Sequence, residues 1–250
     1  MPPTSPPPPA RRRSPPPAET EPLLGRPGDA LLPASSPIHN NLYLGTAPLA
    51  LLGLLILLIT IPHAIFTHPR LPLVSPHPLL QTTGYLLLVL AILILQPTSS
   101  LNPSAKRRAR IWHAALQGGS ALCFVAGIGV IEANKVVNRG EHFHSAHGVL
   151  GVASGVVLVG QYVFGVVMWL VPAGWLGVEE ERARGWWRWH RYSGYAVLGL
   201  LTLTVVSAAG TPYVGGVLEV KGWVVAMAGV LVVVGVFPRI QLGKLRAPRA

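Results

Sequence analysis

The sequence predicts an all-α membrane protein with six transmembrane helices around a central four-helix core, helices 2 to 5. Three observations predict it. Half of the 250 residues are hydrophobic and only 12% are charged, with a mean hydropathy of +0.48, whereas soluble domains devote about a quarter of their residues to charge. Six apolar stretches follow one another, at residues 44–66, 79–96, 111–131, 148–171, 192–209 and 217–237. The charges lie in short clusters between those stretches, as in juxtamembrane loops, so the formal charge of +11 points to membrane topology and away from nucleic acid.

Residues 1–40 stand apart. PPTSPPPP, SPPPAET and RPGDALLPASSP have no apolar period, and proline lacks an amide donor and fixes its own φ, so the segment reads as a disordered, solvated tail. It is not a signal peptide, because Arg11, Arg12 and Arg13 lead into more prolines and not into an apolar run. The six-helix domain occupies residues 41–240, and 241–250 form a short basic tail. Each apolar stretch has the length that crosses about 30 Å of hydrocarbon at 1.5 Å per residue. Strands of that length would leave an unpaired edge in lipid, so helices are required. The sixth carries Glu219 and Lys221 near its start, which suits an interfacial end. Pro62 near the end of the first helix is expected to bend it. The single cysteine, Cys123, lies in an apolar run and reads as a small buried hydrophobe.

Sixteen of the twenty Lys and Arg fall on one side of this topology: Arg11, Arg12, Arg13, Arg26, Lys106, Arg107, Arg108, Arg110, Arg182, Arg184, Arg188, Arg191, Arg239, Lys244, Arg246 and Arg249. The positive-inside rule then sets both termini in the cytoplasm. Arg70, Lys135, Arg139 and Lys221 lie on the other side.

Four of the nine histidines begin consecutive predicted helices: His77, His113, His147 and His190. Successive helices run in opposite directions, so His77 and His147 share one level of the membrane and His113 and His190 share the other. Two histidines at equal depth on facing helices suit the two axial positions of one haem iron. Interfacial histidine is the plain alternative, and Trp186, Trp187 and Trp189 beside His190 look like an aromatic belt. Zinc requires four ligands converging on one centre, which two pairs separated by most of the bilayer do not supply. EHFHSAH, with His142, His144 and His147, is a rival surface metal cluster.

The segments SPHPLL at His77, KRRARIWHAALQ at His113, HFHSAHGVLG at His147 and RWHRYSGYAVLG at His190 resemble the short, domain-only members of the cytochrome b561 family over about residues 44–240. The resemblance implies two b haems per chain, one held by the second and fourth helices and one by the third and fifth. It puts the ligand before Gly148, at His147 and not at His144. It also implies an oxidoreductase that takes electrons from cytoplasmic ascorbate and delivers them to monodehydroascorbate (the ascorbyl radical) or ferric iron on the opposite face. The short members match the ascorbate-binding positions of better-known relatives only loosely. Homodimerisation is likewise implied by the resemblance alone.

Histidine at both axial positions leaves no open site for oxygen, which favours electron transfer. Lys106, Arg107, Arg108 and Arg110 lie near His113 and suit an anionic donor, while Arg188 and Arg191 flank His190 and suit a haem propionate. Each is equally a topological charge. Lys135, Arg139, His142 and His68 are candidates to meet an acceptor. Gly151 and Gly155 form a small-xxx-small pair for helix packing or a haem face. ETEPLL, with Glu19, Leu23 and Leu24, resembles an acidic dileucine signal for endosomal, lysosomal or vacuolar membranes.

Two rival functions are compatible with the sequence. One is a haem-free or haem-sensing scaffold that acts through its tail. The other is a b-type carrier using quinol or a protein partner. Ion transport fits poorly, because the only carboxylates near the spans, Glu132 and Glu219, lie at their ends.

Overall fold

The structure, a computed structural model, describes residues 36–98, 102–171, 175 and 177–241. The proline-rich tail with Arg11, Arg12, Arg13, Arg26, Glu19, Leu23 and Leu24 lies outside the described residues, as do Lys244, Arg246, Arg249 and the side chain of Arg184.

The described chain is helical, with no strand among the described residues. A short 3-10 turn, Ile38–Leu42, precedes α1, Ala47–Thr67, and α2, Pro76–Leu95. Then come α3, Pro103–Asn138, α4, Ala146–Leu170, and α5, Glu180–Ala208; a π-helical turn, Pro212–Val217, leads to α6, Gly222–Val236. Five of these, α1, α2, α3, α4 and α6 with the 3-10 turn that continues it to Arg239, are long and apolar enough to span a bilayer. In α5 the polar and charged first turns leave the apolar stretch at residues 192–208. An integral membrane location follows from these helices.

Helix ends are set by local chemistry. Asn102 accepts the amide of Ala105 at 3.1 Å, with Pro103 at the first helical position, so α3 starts eight residues before the apolar stretch expected at 111. Its Lys, Arg and Ala residues propagate helix well. A helix of 36 residues is about 54 Å long, more than the bilayer core requires. α5 likewise begins at Glu180, well before 192. His113 and His190 are therefore the eleventh residues of their helices, at the start of the apolar part and not of the helix itself. His77 and His147 do sit at the second position of theirs. The sixth helix starts at Gly222 and not at 217, because the π-helical turn and the left-handed Glu219 (φ 52°) interrupt the chain there.

α2 packs along α3, α4 along α5, and α1 along α6, each as an antiparallel pair, while α3 and α4 meet only sparsely. The α1/α6 pair lies against α2 and α5. Glycine permits its closeness: a Cβ on Gly53 would come 2.5 Å from the Ala228 carbonyl, and one on Gly235 would strike the backbone of Ala50. A Cβ on Gly151 or Gly155, where close packing was expected, would reach only ordinary contact with Thr204 and Ile128, at 4.0 and 3.6 Å. Hydroxyls cross-link the pairs: Tyr85 to Thr202 at 2.6 Å, Ser75 to Tyr213 at 2.6 Å, and Tyr162 to Ser120 at 3.0 Å.

Arg239, read above as one of the topological charges, is buried at 6% exposure. Its Nη2 donates to the Asn41 carbonyl at 2.8 Å and the Leu93 carbonyl at 3.4 Å, and Asn41 Nδ2 donates to the Ile94 carbonyl at 2.6 Å. The segment before α1 is thereby tied to the ends of α2 and α6.

Candidate functional site

The four helix-borne histidines come together in two pairs. The rings of His77 on α2 and His147 on α4 have centroids 6.3 Å apart with planes crossed at 81°. Those of His113 on α3 and His190 on α5 are 6.5 Å apart, crossed at 82°. All four are half-buried.

Three of the four rest Nδ1 on a carbonyl of the neighbouring antiparallel helix. His77 meets Gly127 at 2.8 Å, His113 meets Ala91 at 2.9 Å, and His147 meets Thr204 at 3.0 Å. A proton on Nδ1 satisfies each carbonyl and leaves the Nε2 lone pair free for a metal. His190 Nδ1 lies instead 3.2 Å from Gln161 Nε2.

The arrangement repeats with a fixed spacing. From histidine to bracing residue is fourteen positions on every helix: 77 to 91, 113 to 127, 147 to 161 and 190 to 204. Fourteen residues rise about 21 Å and return to nearly the same helix face. Each helix thus offers a histidine at one level and a brace at the other. The α2/α3 pair repeats in the α4/α5 pair.

A haem between such pairs fits the residues present. A metal–imidazole bond is about 2 Å, and each ring centre stands about 1.1 Å behind its nitrogen, so rings sharing one iron lie a little over 6 Å apart. Both observed separations match. Buried polar atoms near the His113/His190 level have no hydrogen-bond partner among the described residues: Gln117 Oε1, one turn after His113, and Arg188 Nε, two residues before His190. The Arg188 guanidinium lies over the Trp189 ring, 5.4 Å from its centroid. An acidic substituent would satisfy that donor.

At this same end the basic cluster precedes the apolar part of α3. Arg107, Arg108 and Arg110 are exposed and Lys106 is half-buried. Burial, then the neighbouring charges of Arg191 and Arg110, pushes the Lys106 ammonium below its ordinary range. Lys106, Arg110 and Arg191 therefore form one positive locus.

At the opposite end, beyond the apolar part of α3, Glu132 binds His142 Nε2 at 2.8 Å and Lys135 Nζ at 3.4 Å. The hydrogen bond from His142 holds the Glu132 carboxyl below its ordinary value. Arg139 caps α3 in the left-handed region, at φ 51°. His68 binds the Ala64 carbonyl through Nδ1 at 2.9 Å and so closes α1. His144 is exposed and bonds the Glu141 carbonyl at 3.1 Å. No group of three or more metal-binding side chains gathers among the described residues, so EHFHSAH is not assembled as a cluster.

Sequence reasoning missed the braces and two glycines that leave room beside them, Gly127 for the Gln81 side chain and Gly165 for the His190 ring. A Cβ on Gly127 would lie 2.6 Å from Gln81 Nε2, and one on Gly165 would lie 3.0 Å from His190 Cε1. The fourteen-residue spacing from each histidine was the available signal. It becomes visible only when the helix pairs are known.

A family model described as eukaryotic cytochrome b561 matches residues 76–211, more than half of the chain and the stretch that holds all four histidines. No curated protein matches the chain.

Proposed function

The chain belongs to the eukaryotic cytochrome b561 family, and from that premise we propose that it carries electrons through two b haems, one on His77 and His147 and one on His113 and His190. Transmembrane electron transfer by b-type haem is the family's general activity, and it is this chain's. The finer reading is ours: an ascorbate-like reductant donates at the basic, cytoplasmic end, and ferric iron or monodehydroascorbate accepts on the other face.

The observation that carries this reading is the matched pair of histidine separations, 6.3 and 6.5 Å, at two levels. When bound, haem supplies a reversible one-electron couple. The protein's part is to hold each imidazole by its Nδ1, to leave no ligand position for oxygen, and to surround the pairs with apolar helix. Levels about 21 Å apart along the helices allow one site to face each surface. The Lys106, Arg110 and Arg191 locus supports an anionic donor at the His113/His190 end. Arg188 and Arg191 suit propionates. Lys135, Arg139 and His142 border the other exit, with Lys135 and His142 joined through Glu132. We further infer a cytoplasmic proline-rich tail over residues 1–40, a homodimer, and an endosomal, lysosomal or vacuolar address in ETEPLL.

The test is a reduced-minus-oxidised optical spectrum of detergent-purified protein, with ascorbate and then dithionite, and haem quantified per chain. Two haems per chain, falling by about half in His77→Ala or His113→Ala, is the expected result. Reduction by ascorbate supports the donor. Absence of haem from protein made with ample haem supply would overturn the reading and favour a scaffold.

A further inference from the structure

The repeat that relates the α2/α3 pair to the α4/α5 pair is broken at one place. Gln161 occupies on α4 the position that Ala91 occupies on α2. There a backbone carbonyl holds His113; here a side chain reaches His190. Gln161 Nε2 lies 3.2 Å from His190 Nδ1 and donates to the His190 carbonyl at 2.8 Å. Gln161 Oε1 accepts from Ser193 Oγ at 2.6 Å, and Ser193 Oγ also lies 2.8 Å from the Trp189 carbonyl. Glycines clear the space: a Cβ on Gly194 would come 3.0 Å from Gln161 Nε2, and one on Gly165 3.0 Å from the His190 ring.

An imidazole that binds a metal through Nε2 carries its proton on Nδ1 and needs an acceptor there. The amide nitrogen now facing Nδ1 is not one. We propose that Gln161 is the positioning residue for His190, its Oε1 accepting the Nδ1 proton after a half-turn of the amide. The inference rests on the reading of His190 as an iron ligand. The half-turn lets Nε2 take the place of Oε1 and donate to Ser193 Oγ, whose own proton goes to the Trp189 carbonyl. It withdraws Nε2 from the His190 carbonyl, so the side chain must also shift to draw Oε1 off that oxygen. His190 thus differs from the other three histidines, since its brace is a rotatable side chain and theirs are fixed helix carbonyls. An acceptor at Nδ1 raises the basicity of the ring and stabilises the ferric form, so its strength tunes this site alone.

The experiment is an optical redox titration of the full-length purified protein. Loss of one component in His190→Ala identifies the component concerned. In Gln161→Leu that component moves to more positive potential, and in Gln161→Glu it moves to more negative potential, with the other component unchanged. A residue that merely packs would not shift one component in opposite directions. Unmoved midpoints at full haem content, or shifts of the same sign, overturn the role of Gln161. If Gln161→Leu yields no folded protein, Gln161→Glu carries the test: a negative shift of that component supports the role and an unmoved one overturns it. Full haem content in His190→Ala would instead overturn the ligand reading beneath it.

Discussion

His77 and His147 meet with their ring planes crossed at 81°, and the second pair repeats the angle at 82°. The crossing follows from bracing. His77, His147 and His113 each fix Nδ1 to a main-chain carbonyl of the neighbouring helix of their own antiparallel pair. Their ring orientation is set by the backbone and not by the facing imidazole, while His190 is oriented beside the Gln161 side chain. Parallel axial imidazoles split the iron d orbitals that point between them, while crossed planes leave those orbitals nearly degenerate. The oxidised protein is therefore expected to show strongly axial low-spin resonance with a large maximum g value. Low-temperature electron paramagnetic resonance checks it, and a rhombic spectrum would contradict the crossed planes.

Glycine at 165 is expected to matter and glycine at 160 is not. A Cβ at 165 would stand 3.0 Å from His190 Cε1, whereas nothing lies within 4 Å of one at 160. Gly165→Val must push the ring from its place, with overpacking costs of about 1–3 kcal/mol. The expected outcome is loss of the haem component that His190→Ala also removes, while Gly160→Val keeps full haem content. Equal haem loss in both variants would mean that the space beside His190 is not specific.

These residues show where the sequence was legible and where it was not. Apolar length and basic clusters set the helix order, and alternating direction paired His77 with His147 and His113 with His190. Charged residues hid the true starts of α3 and α5, because amphipathic and basic turns extend a helix without adding hydropathy. Gly127, Ala91 and Thr204 act through main-chain carbonyls, which no side-chain motif records. Arg239 looked like a loop cation because burial depends on the neighbours of α6, not on its own stretch of chain.

The Lys106 locus predicts how a reductant binds. Lys106→Gln is expected to raise KM for an anionic reductant several-fold with kcat nearly unchanged, and the difference should shrink as salt rises toward about 1 M. Burial and the adjacent Arg191 and Arg110 lower the ammonium's pKa. A group so lowered is charged at acid pH and loses its charge at a lower pH than a free lysine, so KM should climb early on the alkaline side. Lys106→Arg, whose charge persists, should remove that early climb. A KM that ignores salt and pH in all three proteins would separate the cluster from substrate binding.

Arg239 tests whether a basic residue here serves topology or packing. Its guanidinium is buried and donates to carbonyls of two separate segments, at Asn41 and Leu93. Arg239→Leu leaves those carbonyls without their donor, and hydrogen bonds from a charged group contribute about 1.5–3 kcal/mol. Arg107, by contrast, is exposed on α3, and surface substitutions stay within about 0.5 kcal/mol. Thermal unfolding in detergent should therefore drop clearly for Arg239→Leu and hardly for Arg107→Leu. Haem content at low temperature should be intact in both, because neither residue is among the four histidines or their braces. Equal unfolding temperatures would return Arg239 to the set of topological charges, with Asn41 and Thr46 still holding the segment before α1 through Ile94 and Gly235.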